Sequence, residues 1–381
     1  MSRASIFDLL HERQPVSEPE PTPEPRQSDY DNERLQVLDG LALTAAGLIT
    51  LDSLPEAHTP ELSSSLLGAD GYRLLVHEIA DLPVAEEPEL GRMGTKALRL
   101  HRLVQSIVLE ALMLLEALPE DAHYDVVLSA PVVSKAAATL IMDRLRAVIA
   151  ETQYSERLGD LRHSTAGEDP HTVLAVPGEG GMPYVLWLSV DTVTNQQDLV
   201  SPTHSQLLVQ RSRGTGLHAG EAAVAVLIRR LSNGEPQPEE GWLLGAGTLR
   251  EHPARSARRD HAKRQGLIEL FGEFWPEEET TGKPSRLVVD ALGLPGRAVE
   301  LGGAVIERWP EIDTIDDGVN VEDFCGWPGA SVTALMLVLA IAEMKPDEHA
   351  ILLSLHAESQ SRLWALRGPV VEATQSGEDH S

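Results

Sequence analysis

The sequence contains little of several residue types, and each shortage excludes a class of protein. Among the 381 residues there is one cysteine, Cys325, which excludes an internal disulfide and a cluster of thiolate metal ligands. A single thiol is typical of a protein in a reducing compartment, so we expect a cytoplasmic location. Aromatic residues make up only 4% of the chain, so the core must consist mainly of leucine, valine, alanine and isoleucine.

Basic residues are also scarce relative to acidic ones. The chain has 31 lysines and arginines against 59 aspartates and glutamates, which gives a formal net charge of −28. Because affinity for nucleic acid comes largely from a positive electrostatic field, we expect no nucleic-acid partner. The basic run at 249–264 (LREHPARSARRDHAKR) is a local exception. We interpret it as a solvated helix start or a contact for an acidic partner.

No stretch of the sequence is apolar enough for a membrane span, which needs about 18 apolar residues in succession. The longest apolar run, GASVTALMLVLAIAEM at 329–344, is followed by Lys345 and Pro346. It mixes small and large apolar residues, which predicts a helix buried in the core. The N-terminus lacks the basic start and apolar centre of a signal peptide. We therefore expect no contact with a membrane.

The N-terminal region differs in composition from the rest of the chain. Residues 15–32 begin with PVSEPEPTPEPRQ, an acidic proline-rich run that predicts an extended or disordered linker. The linker isolates residues 1–14, where a short amphipathic helix is predicted. Its apolar face consists of Ile6, Phe7, Leu9 and Leu10. Two interpretations stay open: a docking peptide that binds another protein, or a segment that packs on its own domain or is unstructured.

The rest of the chain alternates apolar runs with helical patterns. YDVVLSAP at 124–131 and EAAVAVLIRR at 221–230 suit strands that are covered on both faces. LRLHRLVQSIVLEALMLLEAL at 98–118 predicts one of the covering helices, whereas the polar residues 153–182 predict irregular structure. We therefore expect an α/β fold.

This body divides into two halves at 33–231 and 241–372, followed by a polar tail at 373–381. The order of strands and helices predicts one β-α-β-α-β-β scheme that is used twice. The repetition is one of topology, because the two halves share no convincing residue-level repeat.

Several local sequences occur in a characteristic order. LWLSVDTVTNQQDLV places Asp191 in a turn, and GLHAGEAAVAVLI follows with Gly220 and Glu221. The second half contains VVDALGLPGRAVELGGAVIERW and then GWPGASVTALMLVLAIAEM. In this order the sequences resemble the thiolase fold, and specifically the β-ketoacyl-ACP synthase family, over roughly residues 33–371. The resemblance implies two similar halves in a layered α-β-α-β-α arrangement.

The resemblance also implies a cysteine nucleophile at a helix N-terminus, where the helix dipole lowers the pKa of the thiol. Its position falls between the strand at 124–131 and the strand at 184–190. That interval contains no cysteine. It contains Ser155, Ser164 and Thr165, and none of these occupies a recognisable buried helix start.

Two histidines that bind the thioester oxygen are implied as well. The first motif should follow the strand RLVVD, but Leu292 and Gly293 stand in that region. The second, a Gly-His pair before the long apolar helix, is replaced by Gly326 and Trp327. Both positions are therefore degenerate, and Trp327 is expected to fill the former active-site tunnel.

Two other residues have structural interpretations. Cys325 lies beside the lost second histidine, in the wrong half for the nucleophile, and we expect a small buried apolar side chain there. Glu221 is the acid whose surroundings predict burial, and it should bind backbone amides or an arginine. The histidines show no i, i+4 pair on one helix, so neither a metal nor another cofactor is expected.

The missing catalytic residues predict a non-catalytic thiolase-like protein that works by binding another protein. Degenerate thiolase-like proteins associated with type VI secretion share this loss, which implies an adaptor or effector as partner. One alternative is a ketosynthase-like acyltransferase with an atypical nucleophile. Another is an inactive chain-length-factor-like partner of an active ketosynthase. The resemblance also implies a homodimer or heterodimer.

Overall fold

A computed structural model describes residues 29–369 of the chain. Short gaps in this description lie at 69–70, 84–87, 166–168, 177–179, 202–203, 210–214, 257–260, 276–282 and 313–317. The predicted docking peptide with Ile6, Phe7, Leu9 and Leu10, most of the linker, and the polar tail lie outside the described residues. The predicted linker at 15–32 was wrong in its last residues, because the first strand begins at Tyr30.

The first half contains two long strands, one at its start and one at its end, that pair antiparallel to each other, and shorter strands and helices lie between them in sequence. Its strands are β1 (Tyr30–Thr44), β2 (Gly47–Ile49), β3 (Glu61–Leu67), β4 (Arg73–His77), β5 (Tyr124–Ser129), β6 (Leu158–Ser164), β7 (Tyr184–Thr192) and β8 (Ala219–Ser232). Its helices are α1 (Pro88–Met93), α2 (Thr95–Met113), α3 (Lys135–Ala150), α4 (Pro170–Leu174) and α5 (Gln196–Leu199).

The second half repeats this organisation with shorter strands. Its strands are β9 (Trp242–Gly245), β10 (Thr248–Glu251), β11 (Arg286–Val289), β12 (Gly318–Asn320), β13 (His349–Ser354) and β14 (Gln360–Arg367). Its helices are α6 (His261–Phe274), α7 (Arg297–Arg308), α8 (Glu322–Cys325) and α9 (Val332–Ile341). β9 and β10 are separated only by Ala246 and Gly247, which belong to neither strand.

The strand order confirms that one scheme is used twice. The main path of the sheet runs β12-β11-β13-β14-β9-β1-β8-β7-β5-β6. Within each half, the principal strands counted along the chain therefore follow the order 3-2-4-5-1, and the fifth strand is antiparallel to the fourth. Two edge strands were missed by the sequence analysis. β6 replaces part of the irregular structure predicted at 153–182, and β12 has only three residues.

The layers of the fold follow from the faces that are apolar. Helix α9 is apolar all round, and its ten residues are buried between β1 and β8 of the first half and β11 and β13 of the second. The outer face of the first half packs on α2 and α3, and that of the second half packs on α6 and α7. The arrangement is the predicted α-β-α-β-α layering. Within the described ranges, no helix is long and apolar enough to cross a bilayer.

Candidate functional site

The Gly-Glu-Ala-Ala segment forms the start of β8, beside the second half of the chain. Glu221 is fully buried, and its Oε1 accepts a hydrogen bond from the main-chain N–H of Ile79 at 2.8 Å. Arg99 donates from Nε to Oε2 of the same carboxylate at 3.0 Å and from Nη2 to Oε1 at 2.5 Å. Glu221 therefore binds both a backbone amide and an arginine, as its predicted burial requires.

Asp191 lies at the end of β7 and connects the two halves. Its carboxylate is 2% exposed, and Oδ2 accepts a hydrogen bond from the main-chain N–H of Ala330 at 2.7 Å. Lys96 Nζ lies 3.0 Å from Asp191 Oδ1 and 2.6 Å from Asp198 Oδ2. Burial alone would lower the pKa of Lys96, but the two carboxylates outweigh it and raise the pKa above its ordinary value. Lys96 is therefore a fixed cation that holds α2 to β7.

In the region predicted for a nucleophile, the sequence analysis did not weigh Ser134, which caps the N-terminus of α3 and accepts a hydrogen bond from the Ala137 N–H at 3.3 Å. Ser155 opens a 3₁₀ turn, and Ser164 is the last residue of β6. Helix α4, which follows, has five residues, and the side chain of Asp169 caps it by accepting from the N–H of Thr172. A carboxylate here opposes formation of a thiolate or alkoxide nearby, because like charges repel.

The first degenerate position is linked to the second through Glu322, whose main-chain oxygen accepts a hydrogen bond from the Gly326 N–H at 3.1 Å. Leu292 packs against the apolar cluster of the second half, and the Gly293 N–H donates to Glu322 Oε1 at 2.6 Å. Burial raises the pKa of Glu322 to about 7, and the nearby Asp290 and Asp323 act in the same direction. Where a ketosynthase needs an imidazole, this chain has the carboxyl group of Glu322, the aliphatic side chain of Leu292 and the main chain of Gly293.

The second degenerate position is occupied by a buried indole. Gly326 adopts φ 62°, a conformation that favours glycine, and its neighbour Trp327 is 2% exposed. The Trp327 N–H donates to His218 O at 2.8 Å, and Trp327 O accepts from Gly220 N at 3.1 Å. These bonds bring Gly220, Gly326 and Trp327 together.

A histidine that the sequence analysis missed lies against Trp327. The rings of His356 and Trp327 are 5.0 Å apart between centroids. His356 Nδ1 lies 2.8 Å from Oδ2 of the fully buried Asp290, and Ser354 Oγ donates to the same oxygen at 2.7 Å. Asp290 directly follows β11, and His356 follows β13 by two residues. β11 and β13 pair in parallel, so their C-terminal ends lie side by side. A prediction of this pairing would have placed Asp290 beside His356.

Cys325 lies in the core, two residues before Trp327. It is fully buried, and its Sγ lies 3.5 Å from Gly326 O and 3.8 Å from Val321 O. Burial raises the pKa of the Cys325 thiol well above its ordinary value. The thiol is therefore protonated and apolar in character, as expected from the sequence.

A cavity of about 640 Å³ opens between the two halves and is lined by some of these side chains and by Ser134. Asp191, Lys96 and Asp198 line one side of it, and Trp327 and His356 line the other. Leu292 and Gly293 are not among its lining residues. No group of three histidine, cysteine or acidic side chains is arranged for a metal ion in the part of the chain that the structure describes.

The comparison with solved structures decides the fold. The ishigamide ketosynthase/chain length factor superposes with a TM-score of 0.53 at 13% identity over 89% of this chain and 100% of that one. The chain has the thiolase-like fold. A Streptomyces albus oxazolomycin ketosynthase domain matches with a TM-score of 0.51 at 12% identity, over 89% of this chain and 75% of that domain. The ketosynthase of module 6 of the Bacillus subtilis bacillaene synthase gives 0.51 at 11%, over 89% and 73%.

Sequence comparison adds no closer relative to these structures. No protein-family model matches the chain, and no curated protein matches it. At 11–13% identity the structural likeness establishes the thiolase-like architecture, while function has to be argued from the side chains of the site.

Proposed function

We propose that this thiolase-like protein is non-catalytic and works by binding another protein. The observation that carries the proposal is the buried indole of Trp327 in the place that the resemblance assigns to the second histidine. An indole N–H donates a hydrogen bond, but it neither accepts nor releases a proton as an imidazole does. Claisen chemistry needs the nucleophile and both imidazoles at one reacting carbonyl. The loss of one imidazole alone should therefore lower the rate of the reaction strongly.

The buried Cys325 supports the same proposal. Its thiol is protonated and lies in the second half of the chain, far in sequence from the region of the nucleophile. Covalent acyl transfer would then depend on Ser134, Ser155, Ser164 or Thr165, and an alcohol needs an adjacent general base to act. His163 is the nearest histidine in sequence, and its Nε2 lies 3.0 Å from the main-chain oxygen of Ala130.

The partner that we propose is an adaptor or effector protein, as in effector loading for type VI secretion. The acidic chain, with a net charge of −28, favours a neutral or basic partner surface. The cytoplasm is the compartment in which such a complex would form. Residues 1–14, with the apolar face of Ile6, Phe7, Leu9 and Leu10, are the proposed docking peptide.

Acyl labelling tests the absence of catalysis directly. Full-length protein is incubated with a short-chain acyl-CoA and with an acyl carrier protein bearing the same chain, and its intact mass is measured. We expect no acyl adduct in the wild type, and an active ketosynthase serves as the positive control. An adduct that disappears in Ser164→Ala or Thr165→Ala would establish the acyltransferase alternative instead.

Affinity capture tests the binding proposal. Tagged full-length protein and a variant that lacks residues 1–14 are purified from the native host, and the bound proteins are identified by mass spectrometry. We expect an unrelated adaptor or effector at a stoichiometric level, with reduced recovery on the truncated variant. Equal recovery on both variants would contradict the role of the docking peptide.

A chain-length-factor-like role is the second candidate, because one of the matched structures contains a ketosynthase and a chain length factor. Here the partner would be an active ketosynthase of the same fold. The same capture experiment distinguishes the two proposals, since a stoichiometric ketosynthase partner favours this second role and excludes the adaptor role.

A further inference from the structure

A second cavity, of about 310 Å³, lies at the first turns of α6 and α7 and is lined by cationic side chains. Lys263 and Arg264 belong to α6, Arg297 opens α7, and Arg255 lies in the loop between β10 and α6. Glu300 is the one carboxylate among the lining residues. The lining therefore carries a formal charge of +3, in a chain whose net charge is −28. This cationic cavity shares no lining residue with the cavity between the two halves.

Three of the four cations are fixed in place by the protein. Arg255 donates from Nε to Glu300 Oε2 at 3.0 Å, and its main-chain oxygen accepts from Lys263 Nζ. Arg255 Nη1 and Arg297 Nε both donate to the main-chain oxygen of Leu355, at 3.3 and 3.1 Å. The three side chains are at most 7% exposed. They supply charge to the cavity, and a ligand has to find its hydrogen-bond donors elsewhere.

The cations lie close enough together to repel one another. Burial lowers the pKa of Arg297 from its ordinary value, and the charge of Arg255 acts in the same direction. Two further acids pair with the lining cations, Glu358 with Arg297 at 3.3 Å and Glu307 with Arg264 at 3.7 Å. With both acids included, the seven charged side chains still have a formal charge of +1. An anionic ligand is therefore attracted, whereas a cationic one is repelled.

Arg264 is the cation that can bind a ligand directly. Its side chain is 45% exposed, and within the described ranges its guanidinium makes one ion pair and no hydrogen bond. Gly303 of α7 makes room for the stem of Arg264, since a Cβ there would lie 2.8 Å from Arg264 Cδ. Gly296 lines the same cavity and leaves the start of α7 without a side-chain cap, which adds partial positive charge. A guanidinium with free N–H donors suits an oxyanion.

The size and lining of the cationic cavity restrict the class of anion. A volume of about 310 Å³ is at the lower end of the range for small-molecule sites. A phosphate group has three terminal oxygens and up to two negative charges, so it uses these cations more fully than a carboxylate does. Pro295 and Val299 are the apolar part of the lining, and Val299 is 80% exposed. A small organic group attached to the phosphate would cover them.

We propose that the cationic cavity binds a small phosphate monoester, with its phosphate oxygens hydrogen-bonded to Arg264 and its organic group against Pro295 and Val299. The interaction is non-covalent. The site is separate from the proposed protein-binding function, because it includes neither residues 1–14 nor the degenerate positions. The outcomes of affinity capture and acyl labelling therefore do not depend on it.

Calorimetric titration of the full-length protein with phenyl phosphate, at constant ionic strength, tests the proposal. We expect saturable binding. Benzoate has the same ring and a carboxylate, and it should bind at least about three-fold more weakly because it carries one negative charge. Arg264→Gln should weaken the binding of phenyl phosphate roughly ten-fold, as expected for a lost charge-assisted hydrogen bond. Glu307→Gln removes the acid that pairs with Arg264 and should tighten binding about two-fold.

A matched variant and a further probe separate the alternatives. Arg250→Gln removes an arginine of the same basic run that is 40% exposed outside the cavity, and it should leave the titration unchanged. Unchanged affinity in Arg264→Gln would place the binding elsewhere and overturn the proposal. Equal affinity for benzoate, or no binding of phenyl phosphate, would also overturn it. Tighter binding of the peptide acetyl-Ala-phosphoserine-Ala-amide than of phenyl phosphate would assign the phosphate to a protein instead of a small molecule.

Discussion

The main-chain oxygen of Cys325 occupies the place where a side chain on Gly220 would begin. The Gly220 N–H also donates to Trp327 O at 3.1 Å, and Ala219 pairs with Trp327 in an isolated parallel bridge. The glycine therefore allows β8 of the first half to touch the segment before α9 of the second half. The Gly-Glu-Ala-Ala motif is a junction between the two halves, and its glycine and glutamate serve that junction in different ways.

Gly220→Ala should lower the free energy of unfolding by about 3 kcal/mol, because the added methyl group meets a main-chain atom that cannot rotate away. Gly272→Ala is the control. Gly272 lies in α6 with open space around its Cα, and alanine there should stabilise the helix by roughly 0.5–1 kcal/mol. Urea unfolding of both variants measures the two effects. Similar small changes in both would show that the junction relaxes easily.

Glu221→Gln should destabilise the protein by roughly 3 kcal/mol, since it removes the charge that faces the half-buried guanidinium of Arg99. The comparison is Glu269→Gln, which removes the partner of Arg250 in a pair whose side chains are 40% and 44% exposed. That variant should change the free energy of unfolding by less than about 1 kcal/mol. Equal losses in the two variants would mean that burial does not strengthen the Glu221 pair.

The partners of Glu221 show what the sequence could predict. An acid inside an apolar run has to find a backbone amide or an arginine, so its role followed from burial alone. The particular partners, Ile79 and Arg99, did not follow. They lie more than 100 residues away along the chain, and their meeting depends on the strand order. The repeated α/β scheme was predicted because its buried strands are continuous apolar runs.

Two parts of the fold and site were not predicted, for related physical reasons. β6 (LGDLRHS) and β12 (GVN) are edge strands, and edge strands are short or polar because one side faces solvent. His356 was missed because its place in the site depends on its contact with Asp290, which lies 66 residues away in sequence. The core strands can be predicted from the local pattern of apolar residues. The contacts of the cavity cannot, because they are made by loops that come together only when the sheet has formed.

The stability of the protein should fall as the pH drops from about 6.5 to 4 because of His77. Its Nδ1 lies 3.0 Å from His58 Nδ1, and the ring of His218 is 6.0 Å away between centroids. Burial lowers the pKa of His77 to about 4, and the two neighbouring histidines act in the same direction. Between these pH values the unfolded chain binds a proton on His77 that the folded chain does not bind. This difference lowers the free energy of unfolding by up to roughly 3 kcal/mol.

Urea unfolding of wild type and His77→Gln at pH 7 and pH 4 measures this contribution. The variant should lose less stability than the wild type between the two values. His123→Gln alters an exposed histidine and should follow the wild type. If all three proteins lose the same free energy, His77 titrates near its ordinary pKa in the folded state.

Glu322 should produce a pH dependence of the opposite sign. Because burial raises its pKa to about 7, the folded protein keeps a proton on this carboxyl that the unfolded chain releases above pH 4.5. Stability from this group is complete below pH 4.5 and is lost as the pH rises towards 7.

Glu322→Gln keeps an oxygen that can accept from the Gly293 N–H and removes the titration. The variant should match the wild type at pH 4 and exceed its stability at pH 8. Glu110→Gln, at an exposed position of α2, should show no such crossover, and a constant difference between Glu322→Gln and wild type at both pH values would mean that Glu322 is ionised throughout.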